Sequence, residues 1–365
     1  YKIKHLLNIK LHNISPYFYI DSAINISAKS FYKKISFYPD VIMAHWVSGF
    51  LSPKHLYDLS NYFEAPLLIY LMDNAAMTGG CHYFGDCKNF QNQCGNCPQL
   101  EMLSSQNDIS SIQFKNKYIS FNKINLTALA ASTWQKQKLK ESSIFKFKRS
   151  ELVPLGVDTK IFSPINMYSA RKKLHLPTKG RIIFFGAMSL GEPRKGFGFF
   201  RTALMLLDQM LKKNKFNENI LVLFAGKNNA PDINIPFKWI NLGYLNTDNM
   251  LALAYQAADM FVCSSIEDAG PMMINESIMC GTPVVAFDMG VAKDLVINGK
   301  TGYRVKLKDS KGLAEAMFRL LSANKLKYKK IKINCRNIGL KYCDPKKQVK
   351  SIIKICNSLL KNKSI

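Results

Sequence analysis

DMFVCSSIEDAGPMMINESIMCGTPVVAFD (259–288) reads as strand, loop, helix and strand in succession. DMFVCSS (259–265) and TPVVAFD (282–288) are short runs with β-branched and aromatic residues and no polar face, while MMINESIMCG (272–281) has helical patterning. Strands apolar on both faces and joined by a helix belong to a parallel sheet covered on both sides. Working outward, RIIFFGAM (181–188) and NILVLFAGK (219–227) are further strands, and GFFRTALMLLDQMLKKN (198–214) and TDNMLALAYQAA (247–258) are helices. PDVIMAHW (39–46), APLLIYLMD (65–73) and NLTALAAS (125–132) repeat the pattern in the first half. VPLGVDTKIFSP (153–164), punctuated by Pro154, Gly156 and Pro164, separates the halves as an extended linker. The expectation is an α/β protein with domains at 1–155 and 156–344, and a basic C-terminal helix at 345–365 packing back on the first domain. Ligands of such sheets sit outside the carboxyl ends of the strands, so two facing sheets place the chemistry in a cleft.

The composition excludes several classes. With 47% hydrophobic residues in 365, each domain can bury a core, and disorder is not the dominant state. The longest apolar run, Ala65 to Met72, is far short of the roughly 20 residues a spanning helix needs. A net charge of +26 raises the question of nucleic acid, but its distribution answers it. Residues 300–365 carry 19 Lys/Arg against three acids, and KLKYKKIK (325–332) reads as the solvated face of a terminal helix. No nucleic-acid-reading motif accompanies the charge. The opening YKIKHLLNIKLHNIS lacks the apolar core and cleavage site of a secretory signal.

Asp268 and Glu276 stand either side of seven residues in a strand–loop–helix setting. This segment resembles the acid-x7-acid signature of the large retaining glycosyltransferase family of GT-B fold called family 4, with Asp268 where Glu is the commoner residue and Glu267 beside it. FFGAMSLGEPRKGFGFF (184–200), where a strand reaches Gly186 and a loop delivers Arg194 and Lys195, resembles the family's basic pair. The linker and GKTGYRVKLKD (299–309) also resemble family segments, so the likeness runs from about 39 to about 315. TGGCHYFGDCKNFQNQCGNCPQL (78–100) marks the subgroup that builds colanic-acid-like bacterial exopolysaccharides. The resemblance implies two Rossmann-like domains, the second binding a UDP- or GDP-sugar and the first facing a glycan or lipid-linked acceptor. It implies that Asp268 faces the donor sugar, Glu276 holds the ribose hydroxyls, and the amides of Gly270, Met272 and Met273 meet sugar or phosphate oxygens. Carboxylates accept charge-assisted hydrogen bonds from vicinal hydroxyls, and Arg194 with Lys195 stabilises the departing diphosphate without a divalent metal. A cytoplasmic location, peripheral at the inner face of an anionic membrane, follows for a lipid-linked acceptor. WQKQKLKESSIFKFKR (134–149), helical at its start and basic, resembles the region that approaches the membrane in many relatives, and its composition fits an ordinary surface helix equally.

Four of nine cysteines, Cys81, Cys87, Cys94 and Cys97, cluster with spacings suited to a closed structural zinc site. Zinc is the leading expectation, with unbound thiols or disulfides as the alternatives. Asp73 ends LLIYLMD near the cleft, and His82 lies in the loop after it; with His45 they are the first domain's candidates for sugar or acceptor contact. Met72 occupies the place where many relatives carry a His. Nothing in 1–38 resembles the subgroup's opening Gly-rich turn, so the first domain is expected to be incomplete. Two other functions fit parts of the chain: a nucleotide-sugar epimerase of GT-B fold, and a zinc-containing nucleic-acid-binding protein.

Overall fold

The computed structural model describes residues 14–21, 32, 34–227 and 233–361. Most of the opening on which the expected incompleteness rests lies outside the described residues. The chain divides into two compact units, 1–153 with 351–365, and 154–350.

In the first unit, β1 (Ile42–Ala44), β2 (Leu67–Leu71), β3 (Leu126–Ala130) and β4 (Arg149–Leu152) form a parallel sheet in the order β1-β2-β3-β4. Its helices are α1 (Pro53–Tyr62), α2 (Ile109–Asn122) and α3 (Thr133–Glu141). Ser52 caps α1, with Pro53 opening the helix where a missing N–H costs nothing. Asp108 caps α2 by accepting from the amides of Ser110 and Ser111, and its other oxygen takes the amide of Cys97 at 2.9 Å. One carboxylate thus starts a helix and pins the cysteine-rich loop to it. The basic stretch after residue 133 is helical only to Glu141; it then turns, and Arg149 opens β4.

The second unit holds a six-stranded parallel sheet of β5 (Arg181–Ser189), β6 (Ile220–Lys227), β7 (Lys238–Asn241), β8 (Met260–Cys263), β9 (Val284–Phe287) and β10 (Gly302–Val305). Its strand order is β10-β9-β8-β5-β6-β7. Sheet growth therefore reverses between β5 and β8, the place where doubly wound sheets open a crevice at their carboxyl ends. The helices are α4 (Met167–Lys173), α5 (Phe197–Lys213), α6 (Asp248–Ala257), α7 (Met272–Met279), α8 (Ala292–Leu295), α9 (Ser310–Leu321) and α10 (Lys325–Tyr342). A last helix, α11 (Pro345–Lys361), carries the chain out of this unit. In α5 the buried residues Phe197, Phe200, Ala203, Leu204, Leu207 and Leu211 recur at helical spacing and cover the sheet. No helix among the described residues is long and apolar enough to cross a membrane.

At the amino ends of the strands, a buried ion cluster ties α4 to β5 and β8. Asp259, 4% exposed, accepts from Arg171 Nη2 at 2.7 Å, from Arg181 Nη1 at 3.2 Å and from the Ile182 amide at 2.7 Å. Arg171, 3% exposed, also donates to the carbonyls of Ala257 and Gly180. Losing one member of such a cluster leaves a buried charge without its partner. Asp259→Ala is expected to cost the second unit about 3 kcal/mol, read as a lower midpoint in urea unfolding.

Candidate active site

The loops leaving β5 and β8 are joined backbone to backbone. Ser264 Oγ donates to the carbonyls of Lys195 (3.1 Å) and Gly196 (2.9 Å), and the Ile266 amide donates to the Arg194 carbonyl (2.9 Å). Gly196 sits at φ +69°, and a Cβ there would stand 1.9 Å from the Ser264 carbonyl oxygen, so the approach admits only glycine. Pro193–Lys195 forms a single 3-10 turn just before it, and that turn aims two cations across at the β8 loop.

Both cations end on one oxygen. Arg194 Nη1 lies 3.1 Å and Lys195 Nζ 2.6 Å from Asp268 Oδ2, and Arg194 Nη1 also donates to the Glu267 carbonyl at 3.2 Å. Of the two adjacent acids, Asp268 is therefore the one whose carboxylate receives the pair. Its Oδ1 accepts from the Gly270 amide at 3.3 Å, so this N–H is turned inward to Asp268. Glu192 Oε1 adds a longer contact to Arg194 Nε, 3.8 Å.

Pro271 precedes α7, and Met272 and Met273 open it, so the amino end of an eight-residue helix faces the same loops. Gly186, in the middle of β5 rather than at its end, lies under Met273: a Cβ there would meet Met273 Cε at 2.4 Å. Glu276, one turn into α7, is held by Tyr255, whose hydroxyl donates to Oε2 at 2.8 Å. Burial pushes the Glu276 carboxyl up, the Tyr255 hydrogen bond pulls it down and the Asp248 charge pushes it up, which together bring it to about 7. A hollow in this unit lined by Arg181, Asp208, Glu218 and Lys238 lies at the amino ends of the strands, away from these groups.

In the first unit, Asp73 and His82 meet although nine residues apart. His82 Nδ1 bonds Asp73 Oδ2, and Asp73 Oδ1 accepts from the Ala75 amide at 2.8 Å. Trp46 Nε1, only a donor, lies 3.3 Å from the same Nδ1. The Asp73 contact fixes the tautomer, because a carboxylate there requires Nδ1–H, and Trp46 then packs against the ring rather than bonding it. His82 is 5% exposed and its Nε2 is buried with no hydrogen-bond partner among the described residues. His45, exposed, lines a small hollow with Trp46, Asp73 and Lys117 at the carboxyl ends of β1 and β2. Lys117 is a residue that sequence reasoning missed: it is 4% exposed, pairs with Asp21 and donates to the carbonyls of Ala75 and Thr78, which shapes the turn carrying Asp73 toward His82. A lysine inside a helix gives no sequence signal of such a role.

The zinc expectation is corrected. Cys81, Cys87, Cys94 and Cys97 line one small cavity with Phe84 and Phe90, and all four are free thiols. Among the described residues, however, no group of three or more His, Cys, Asp or Glu side chains stands where it could hold a metal ion. Burial pushes the Cys81 and Cys97 thiols up, and Cys94 to about 12. The loop is held instead by an apolar cluster of Phe18, Phe84, Phe90 and Leu100 and by the Asp108 carboxylate.

Comparisons with known proteins bear on this arrangement. Residues 179–323 match the family model described as "Glycosyl transferases group 1". Over 260 residues the chain is 27% identical to an N,N'-diacetylbacillosaminyl-diphospho-undecaprenol alpha-1,3-N-acetylgalactosaminyltransferase of Campylobacter jejuni, covering 69% of this chain and 63% of that protein. Over 198 residues it is 26% identical to a phosphatidyl-myo-inositol mannosyltransferase of Mycobacterium leprae, covering 52% of this chain and 47% of that one. The chain thus spans less than two thirds of the length of these curated relatives. Among solved structures, sucrose-phosphate synthase of Thermosynechococcus elongatus superposes with TM-score 0.66 at 18% identity, over 92% of this chain and 76% of that one. Anabaena HepE in complex with UDP and glucose superposes with TM-score 0.61 at 16% identity, over 91% and 80%. The two parallel-sheet units have the GT-B architecture of these glycosyltransferases, and Arg194, Lys195, Asp268 and Glu276 all lie within residues 179–323, the span that matches the group 1 glycosyltransferase model.

Proposed function

We propose that the protein transfers a sugar, with retention, from a nucleotide diphosphate sugar to a glycan or lipid-linked acceptor in bacterial surface polysaccharide synthesis. The observation that carries this reading is the convergence of Arg194 and Lys195 on Asp268 where the strand order reverses. In the reaction the bond from the sugar's anomeric carbon to the diphosphate oxygen breaks, and a bond to the acceptor oxygen forms. The acceptor's proton passes to the departing nucleoside diphosphate. Negative charge grows on that leaving group, and two cations fixed before the reaction stabilise it more in the transition state than in the ground state. Asp268 accepts from sugar hydroxyls, Glu276 from the ribose diol, and the amino end of α7 at Met272 and Met273 faces the diphosphate.

Several observations support the wider reading. HepE was solved with UDP and glucose, and the Campylobacter relative is named for a diphospho-undecaprenol substrate, which fits a lipid-linked acceptor and a peripheral place at the cytoplasmic face of a membrane. On the acceptor side, Asp73 holds the His82 imidazole by Nδ1, leaving Nε2 to accept from a hydroxyl.

Incubation with UDP- and GDP-sugars tests the reaction: free nucleoside diphosphate should accumulate only when an acceptor is supplied, and release without one would point to an epimerase. Arg194→Ala and Lys195→Ala should each lower turnover about 100-fold or more while the melting temperature moves little. Full activity in both would remove the cation pair from the mechanism. His82→Gln should lower turnover by about 100-fold with donor affinity kept, as measured by steady-state kinetics beside donor titration.

A further inference from the structure

Glu276 is anchored by a phenol from a neighbouring helix, and no sequence signature points to that phenol. Tyr255 lies on α6, is fully buried, and packs edge-on to Phe184 and Phe261 with ring centroids 5.2 and 5.4 Å away. Such packing leaves the ring one orientation and the hydroxyl one target, Glu276 Oε2 at 2.8 Å. We infer that Tyr255 is a positioning residue for nucleotide recognition: it fixes the Glu276 carboxylate by one oxygen and leaves the other to accept from the vicinal hydroxyls of the ribose. This rests on the proposed reading of Glu276 as the ribose acid.

A carboxylate recognises a diol by accepting from it, so the charged form is the one that binds well. Burial works against that form, and the phenol hydrogen bond works for it; the balance leaves the group titrating at about 7. The charged and titratable groups acting here are few. From α6 come Tyr255 and Asp248, the latter pushing Glu276 up. Cys280 follows at the end of α7 with its own thiol pushed up, and Lys332 and Arg336 of α10 act on Cys280. Cys263 of β8 acts on Tyr255. Among the described residues the Tyr255 hydroxyl is the group that pulls the Glu276 carboxyl down, and it is the principal support of its charge. The sign follows: donor affinity should be full above about 7 and fall as the pH drops through that value.

The experiment is the affinity for UDP-glucose and GDP-mannose by calorimetry from about pH 5.5 to 9, sugar nucleotides being used because their diphosphates carry no terminal phosphate that titrates in this range. Wild-type affinity should rise through about 7 to a plateau. Tyr255→Phe, which keeps the ring in its aromatic contacts, should move that midpoint up by about one pH unit or more, the equivalent of a hydrogen bond to a charged group. Asp248→Asn, on an exposed residue, should move it the other way by less, and Glu276→Gln should flatten the profile. A midpoint unmoved in both Tyr255→Phe and Asp248→Asn, or a flat wild-type profile, overturns the inference while the proposed function stands. Failure of both nucleotides to bind the wild type overturns the donor-site reading and this inference with it.

Discussion

The site depends on the seam between the β5 and β8 loops, where a serine hydroxyl and an amide bind three consecutive carbonyls across a glycine that has no room for a side chain. Without that seam, Arg194 and Lys195 would be two long side chains on a surface turn, each with several rotamers to lose on meeting a ligand. Held by it, their backbones are fixed before anything binds, and the remaining freedom of the side chains is taken up by Asp268. Preorganisation of this kind is what lets charges act on a transition state without reorganising during the reaction.

The seam also explains what the sequence made legible. Strand–helix alternation in 181–288 and the repeat in 39–132 predict two parallel-sheet units, because strands buried on both faces have no polar positions to disguise them. Arg194, Lys195 and Asp268 are visible because chemistry restricts which residue types can stand there. Ser264 and Gly196 were inside the quoted segments, yet nothing marked them, since a serine that bonds main-chain carbonyls reads like any loop serine. Tyr255 was hidden for a different reason: on an apolar helix a tyrosine looks like core, and it is core, except for one oxygen. β7, with Lys238 and Trp239 exposed, carries no apolar run to announce it and pairs only at the sheet's edge.

The cysteine-rich loop shows how spacing misleads. Four thiols with short intervals do line one cavity, as the spacing suggests, but the surroundings are aromatic and among the described residues no three of them stand where they could hold a metal ion. Convergence is a property of the chain path; coordination needs ionised ligands at set distances. Here Asp108 supplies the anchoring that an ion would otherwise supply, at the cost of a carboxylate committed to four backbone amides, those of Cys97, Ser105, Ser110 and Ser111.

Charge balance in the second unit sets a further condition on the proposed reaction. Two cations share a single carboxylate oxygen, with Glu192 at a longer 3.8 Å from Arg194, so an anion entering the proposed site competes with Asp268 for the pair. Asp268 is only 9% exposed, which keeps the pair from being screened as a surface ion pair would be. In the proposed reaction a diphosphate entering here would take over the cations, and the released Asp268 oxygens would become acceptors beside the sugar that diphosphate carries. One exchange therefore couples phosphate recognition to sugar recognition: a free sugar meets a carboxylate still bound by Arg194 and Lys195, whereas a nucleotide-linked sugar brings the group that unbinds it.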